Sequence, residues 1–213
     1  MQITVNETDI KTDGSRFSIH INSDLEKALG LNKVVLSSVK PGTVINNGFI
    51  VLEHYENGTT AMIRKDLMED IIKFGEDNNN WCESNIRKYL NGVYRKKLED
   101  EFGKENIVEH TTDLLSMDGL NDYGRSRDKV SLLTIDQYRK YRKVLGKNME
   151  DWWWLATPGS TTSGWSSSCV QYVCDDGRVV CCGYCYWGSM RPFFVLKSSV
   201  FVFSATKQKD TDR

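Results

Sequence analysis

From Asp151 to Leu196 the chain contains no lysine and no glutamate, and the ends of this stretch differ sharply from its middle. It opens on Trp152-Trp153-Trp154-Leu155-Ala156-Thr157-Pro158-Gly159 and closes on Gly188-Ser189-Met190-Arg191-Pro192-Phe193-Phe194-Val195-Leu196. Between these apolar anchors lie Ser, Thr, Gly, Cys, Tyr and Asp, together with Cys169, Cys174, Cys181, Cys182 and Cys185. Ordinary protein surfaces carry lysine and glutamate in quantity. A long segment without them, held between hydrophobic ends, reads as a rigid scaffold displaying a small-polar and aromatic binding surface.

The other properties are those of an ordinary globular chain. Its 213 residues suit one large domain, or one domain with an appendage. With 27 % charged residues and a formal net charge of -1, there is no basic footprint for nucleic acid. No apolar window is long enough to insert in a membrane, and Met1-Gln2-Ile3-Thr4-Val5 does not begin an export signal. The expected location is cytoplasmic or virion-associated, with reduced thiols and no structural need for a disulfide framework.

Residues 1–39 read as a β-rich N-terminal extension, either an oligomerisation or attachment element or an extra strand pair on the main domain. Ile3 and Val5, then Phe17, Ile19 and Ile21, alternate as two strands would, and Asp24 to Leu29 suggests a helical turn. The main domain is expected over 40–204, with a disordered tail at 205–213. Asn57-Gly58 between two β-rich runs predicts a hairpin. Leu67 to Phe74 suggests a short helix, and a longer helix follows Trp81 with Ile86, Tyr89, Leu90, Val93 and Tyr94 as its buried stripe. Residues 107–128 read as a long irregular stretch, a feature that often carries function. Thr134 and Gln137 form a capping box for a helix that ends at Gly146. Strands are expected at Cys169 to Val173, Arg178 to Cys182, Phe193 to Leu196 and Val200 to Phe203, with a turn at Asp175-Asp176-Gly177.

Catalytic and metal motifs are weak. Cys182-Gly183-Tyr184-Cys185 has zinc-ligand spacing but no second pair, and no histidine lies near the cysteines in sequence. The Asp residues lack a calcium-loop pattern. The Trp run is expected to divide between core and surface, because side chains alternate along an extended segment. Arg191 before Pro192 reads as an ion-pair anchor. No catalytic residue, cofactor or metal ligand is assigned.

An ordered set of residues nevertheless resembles a known family: Trp81-x-Glu83-Ser84-x-Ile86-Arg87-x-x-Leu90-Asn91, then Leu133-Thr134, Trp153-Trp154-Leu155, Val170-x-x-Val173-x-x-Asp176-Gly177 and Gly188-x-x-Arg191-Pro192. This resembles bacterial and phage C-type-lectin-like domains related to the formylglycine-generating enzymes, and among them the variable proteins of diversity-generating retroelements. The resemblance implies an α+β, C-type-lectin-like fold with two main helices, a twisted antiparallel sheet and long loops. In such systems, adenine substitution turns template codons into codons ending in C, which cannot encode Trp, Met, Gln, Glu or Lys. From Thr161 to Tyr186 only Trp165 and Gln171 break that rule. The resemblance therefore implies a variable region at about 160–190 that binds a protein or another surface ligand. Its binding residues would be Ser166, Ser167, Ser168, Cys169, Tyr172, Cys174, Asp175, Arg178, Cys181, Cys182, Tyr184, Cys185, Tyr186 and Ser189. Trp153, Trp154, Trp165, Gln171, Trp187, Met190 and Arg191 would be scaffold. The competing readings are a cysteine-cluster zinc or formylglycine-generating-like enzyme domain, and an invariant structural component.

Overall fold

The computed structural model describes residues 10–12, 17–19, 31–46 and 48–205. Strands β1 (Ile10–Thr12) and β2 (Phe17–Ile19) pair with each other. Then follow β3 (Leu31–Val35), β4 (Val44–Ile45), β5 (Phe49–His54), β6 (Thr59–Arg64) and β7 (Ile72–Lys73). Helix α1 runs through Asn85–Tyr89, a π turn at Leu90–Tyr94, and Arg95–Phe102. Four short strands come next: β8 (Ile107–Val108), β9 (His110–Asp113), β10 (Arg125–Asp128) and β11 (Val130–Ser131). Helix α2 (Ile135–Leu145) leads to β12 (Trp153–Pro158), β13 (Cys169–Val173), β14 (Val179–Gly183), β15 (Trp187–Gly188), β16 (Phe193–Lys197) and β17 (Phe201–Ala205).

The main antiparallel sheet has the order β11-β16-β6-β5-β4-β17-β3, with β8 also on β16. Both faces are buried, and strand alternation sorts the side chains between them. Phe49, Val51, Met62, Phe194 and Leu196 join one hydrophobic cluster with Ile86, Leu90, Tyr94, Leu98 and Phe102 of α1. Ile50, Leu52, Ala61, Ile63, Phe193 and Val195 join a second with Ile135, Tyr138, Tyr141 and Leu145 of α2. The result is α+β, a helix on each face of one antiparallel sheet.

Each helix carries its cause in the sequence. Thr134 Oγ1 accepts from Gln137 N while Gln137 Oε1 accepts from Thr134 N, completing the capping box, and Gly146 takes φ +71° at the other end. The α1 residues facing the sheet are each four apart. In an α-helix a four-residue step turns about 40° too far, and the wider π turn takes up part of that drift. Val93 is consequently exposed and Tyr89 half-buried, so the stripe is narrower than the expected one.

Other expectations change. Residues 67–74 form no helix: Met68 and Phe74 are buried from an irregular path, and only Ile72–Lys73 is regular. The stretch 107–128 contains the β9–β10 hairpin rather than being irregular throughout. The boundary at 39/40 falls inside the main body, because β3 pairs with β17 and Leu36 and Val39 enter the first cluster. Ile3, Val5, Ile21, residues 24–29 and the tail from 206 lie outside the described residues. The Asn57-Gly58 hairpin forms as expected, with Gly58 at φ +77°.

Polar contacts tie α1 to the hairpin. Asp128, 3 % exposed, accepts from Trp81 Nε1 at 2.8 Å and Arg87 Nε at 2.7 Å. Asn91 Oδ1 accepts from the backbone N–H of Lys129 and Val130, and Ser84 caps the first turn of α1 by accepting from Arg87 N. Trp81, Ser84, Arg87 and Asn91 thus have a structural task here. On the same hairpin His110 bonds Ser131 Oγ at 2.8 Å and meets Phe193 edge-on at 5.0 Å between ring centres.

Burial pushes the His110 imidazole down to about 4, against an opposing pull from Asp128. The unfolded chain therefore binds a proton between pH 6.5 and 4 that the folded chain refuses, so stability is full above that window and falls as pH drops through it. The loss attributable to His110 is about 2–3 kcal/mol. Urea unfolding at pH 7 and pH 4.5 is expected to show a steeper loss for the native chain than for His110→Gln; equal losses would contradict this.

Candidate recognition surface

Strands β12, β13 and β14 form a second antiparallel sheet, and its first strand decides how it is held. Trp153 and Trp154 are both buried, but on opposite sides: Trp153 lies in the α2-side cluster and Trp154 in the α1-side cluster. Trp152, half-buried, packs edge-to-face on Trp154 and Tyr172, each at 4.9 Å. Phe74 continues the aromatic contact from Trp154 to Trp81. Neighbouring residues of one strand thus nail the second sheet to both cores.

Arg191 is 2 % exposed and lies over the Trp153 ring at 5.2 Å. Its Nε and Nη2 donate to the carbonyls of Arg64 and Lys65 at 3.2 and 2.9 Å, so it anchors through backbone carbonyls and a ring rather than through an ion pair. Burial pulls its guanidinium down to about 10. Gly188 pairs with Ile72, and any Cβ there would run into Trp152 and stand 2.7 Å from Trp154 Nε1. Only glycine fits.

Outward from this frame, β13 pairs with β14 in the register Gln171↔Cys181 and Val173↔Val179, around a turn in which Gly177 takes φ +83°. Tyr138 OH of α2 donates to Gly177 O, and Asp176 accepts from both the backbone and Nε of Arg178. Of the expected binding residues, Ser168, Asp175, Arg178, Cys181, Cys185 and Tyr186 are exposed, while Ser166, Ser167, Tyr172, Cys174, Cys182 and Tyr184 are half-buried. Cys169 and Ser189 are corrections: both are buried, Ser189 because it bridges Trp153 and its carbonyl accepts from Trp154 N. Trp153, Trp154, Gln171, Met190 and Arg191 are buried as scaffold should be. Trp165 and Trp187, expected in the scaffold, are instead 66 % and 62 % exposed.

The thiols also depart from expectation. Cys169 and Cys181 form a disulfide across β13 and β14, their Cα atoms 5.7 Å apart, so the surface does contain a crosslink. The antiparallel register brings these diagonal neighbours together. Cys82, Cys174, Cys182 and Cys185 remain thiols. Burial, with a lesser contribution from Cys185, pushes Cys182 up to about 12, which keeps it protonated and a poor nucleophile. Among the described residues no three His, Cys, Asp or Glu side chains converge as a metal cage. The Ser131–His110 contact is no catalytic pair either: Ser131 is 1 % exposed, and both Asp128 oxygens are engaged by Trp81 and Arg87.

Sequence reasoning missed the residues that pin the surface loops. Asn79, fully buried, donates from Nδ2 to Ser160 O and Cys169 O at 2.9 and 2.7 Å, while its Oδ1 accepts from Tyr123 OH. Its backbone N–H donates to Ser167 O. Asp122 accepts from Thr161 Oγ1 and Ser163 N, bonds that hold its carboxyl below the usual range. Nothing distinguished Asn79 from its neighbours in Asp77-Asn78-Asn79-Asn80, because its role arises from contacts 81 and 90 residues away.

Comparison with known protein families, curated proteins and solved structures yields no match. The geometry itself must therefore carry the reading.

Separating frame from surface gives a direct expectation. Arg191→Ala strands the Arg64 and Lys65 carbonyls and opens space beneath Trp153, costing about 3 kcal/mol or more. Tyr186→Ser, at a side chain 60 % exposed, should change stability by under about 0.5 kcal/mol. Chemical denaturation of both variants tests this, and comparable losses would contradict it.

Proposed function

We propose that this protein is a recognition module. Its α+β body is a C-type-lectin-like scaffold, and the surface built from residues 160–190 binds a protein or another surface ligand and is diversified by a retroelement. The observation that carries this reading is the division of one short segment into two sets. Large side chains fixed in the cores hold β12 and the 189–191 region, while Ser, Tyr, Cys, Asp and Arg side chains face solvent on and around β14.

Such a division suits diversification. Exposed positions tolerate substitution within a few tenths of a kcal/mol, whereas core positions do not. Tyr184 and Tyr186 supply contact area at low entropy cost, and the Ser residues supply adaptable hydrogen bonds. The exposed Trp165 and Trp187 cannot be encoded by codons ending in C, so on this reading they are constant members of the surface. The helices on the two faces of an antiparallel sheet make the body α+β, the class to which the proposed lectin-like scaffold belongs.

The test is the DNA around the coding sequence. A reverse-transcriptase gene and an imperfect repeat of codons 160–190, differing at template adenines, are the expected finding. A flanking sequence without a repeat would remove diversification from the account.

A further inference from the structure

β14 is the outer strand of the β12-β13-β14 sheet, and among the described residues no strand pairs with its other side. The register decides which of its backbone groups face outward. Tyr184 N donates to Ser168 O and Cys174 N to Arg178 O, at the two ends of the β13–β14 ladder. Because bonded and non-bonded pairs alternate in an antiparallel ladder, the bonded pairs between them are Val170 with Cys182 and Tyr172 with Val180. Val179, Cys181 and Gly183 therefore direct their N–H and C=O groups away from β13. Among the described residues only Gly183 O is taken, by Tyr186 N. Edge strands usually carry a device that stops another chain from adding to them, most simply a charged side chain. β3 carries Lys33, β7 carries Lys73, and β10 carries Arg125, Arg127 and Asp128. β14 reads Val179-Val180-Cys181-Cys182-Gly183, with no charge, no proline and no register shift, and Val180 and Cys181 are exposed.

We infer that the open edge of β14 docks an extended segment of a protein partner, which adds to the sheet as a fourth strand. This rests on the recognition reading above and adds a partner class to it. The outward groups recur at every second residue, about 7 Å apart, and an extended polypeptide repeats its own donors and acceptors at that spacing. A helix uses its backbone groups internally, and sugar hydroxyls have no such repeat. A second copy of this chain needs more than this edge: five residues of strand fall well short of the ~800 Å² per partner that a stable dimer buries. In strand addition, main-chain hydrogen bonds supply affinity whatever the side chains are, and the side chains supply the choice of partner. Substitution at Cys182, Tyr184 or Tyr186 then alters which segment is preferred without removing the means of holding one. A surface whose side chains are diversified keeps its grip in this way.

A linear random-peptide library displayed on phage, selected against the full chain, provides the probe. The best binder is remade with N-methyl groups on alternate residues, in each of the two phases. An added strand turns every second N–H toward β14, so one phase should weaken binding about tenfold or more while the other leaves it nearly unchanged. On the protein, Val179→Pro removes an outward N–H and no bond to β13, and should weaken the same peptide at an unaltered melting temperature. Amide exchange at Val179, Cys181 and Gly183 should be fast in the free chain and slow with the peptide bound, while Val180, Cys182 and Tyr184 are slow in both. Equal losses in the two N-methyl phases, or no enriched peptide, would overturn the edge. The recognition reading would survive either result, since its own test is the DNA repeat. A chain that is dimeric in solution and becomes monomeric in Val179→Pro would assign the edge to a second copy and overturn the partner class.

Discussion

One constraint governs the rest of the structure: adjacent residues of an extended strand point to opposite sides, and here both are tryptophan. Trp153 and Trp154 are fully enclosed, one in each hydrophobic cluster. Neither ring can leave without opening a cavity of aromatic size, a loss of about 3–5 kcal/mol. β12 is thereby fixed in position and rotation. Gly188, Ser189 and Arg191 complete the joint from the returning strand, each suited to it for a different reason: no Cβ to clash, a carbonyl for Trp154 N, and a flat cation for the Trp153 face. With both ends of the segment clamped, Val170 and Val173 of β13 still enter the two clusters, but the outward residues between the ends are relieved of packing duty.

That relief explains the composition of the middle. A hairpin tied down by its ends, by the buried strand β13, by a disulfide between Cys169 and Cys181 and by the four hydrogen bonds of Asn79 holds its course without burying the outward side chains of β14 and the adjoining loops. Its outward positions can then be serine, cysteine, tyrosine or aspartate without loss of the fold. The scaffold also extends beyond the segment it supports, since Asn79, Asp122 and Tyr123 belong to distant loops.

Much of this was legible where a local pattern had a single physical meaning. The Thr134–Gln137 box, the Asn57-Gly58 turn and the β-rich runs that become β5, β6 and β16 needed no tertiary knowledge. The β9–β10 hairpin was hidden because its buried face is polar: His110, Thr112, Ser126 and Asp128 alternate with exposed residues, but a search for alternating hydrophobics passes over them. The expected helix at 67–74 rested on apolar residues that are buried separately, by an irregular path. Trp165 and Trp187 were placed in the scaffold by a rule about codons, which does not specify burial. The Cys169–Cys181 pair depends on a register that sequence spacing alone does not fix.

The central claim is that the frame and the displayed surface are energetically separate. It is tested most directly by randomising Ser166, Ser167, Ser168, Cys174, Asp175, Arg178, Tyr184, Cys185 and Tyr186 together with codons ending in C, and scoring the library for protease resistance on a display platform. The account predicts that most members stay as resistant as the native chain, while a matched library at Asn79, Trp153, Trp154, Gly188 and Arg191 yields almost none. Similar collapse of both libraries would contradict it, because residues 160–190 would then be part of the core that holds the protein together.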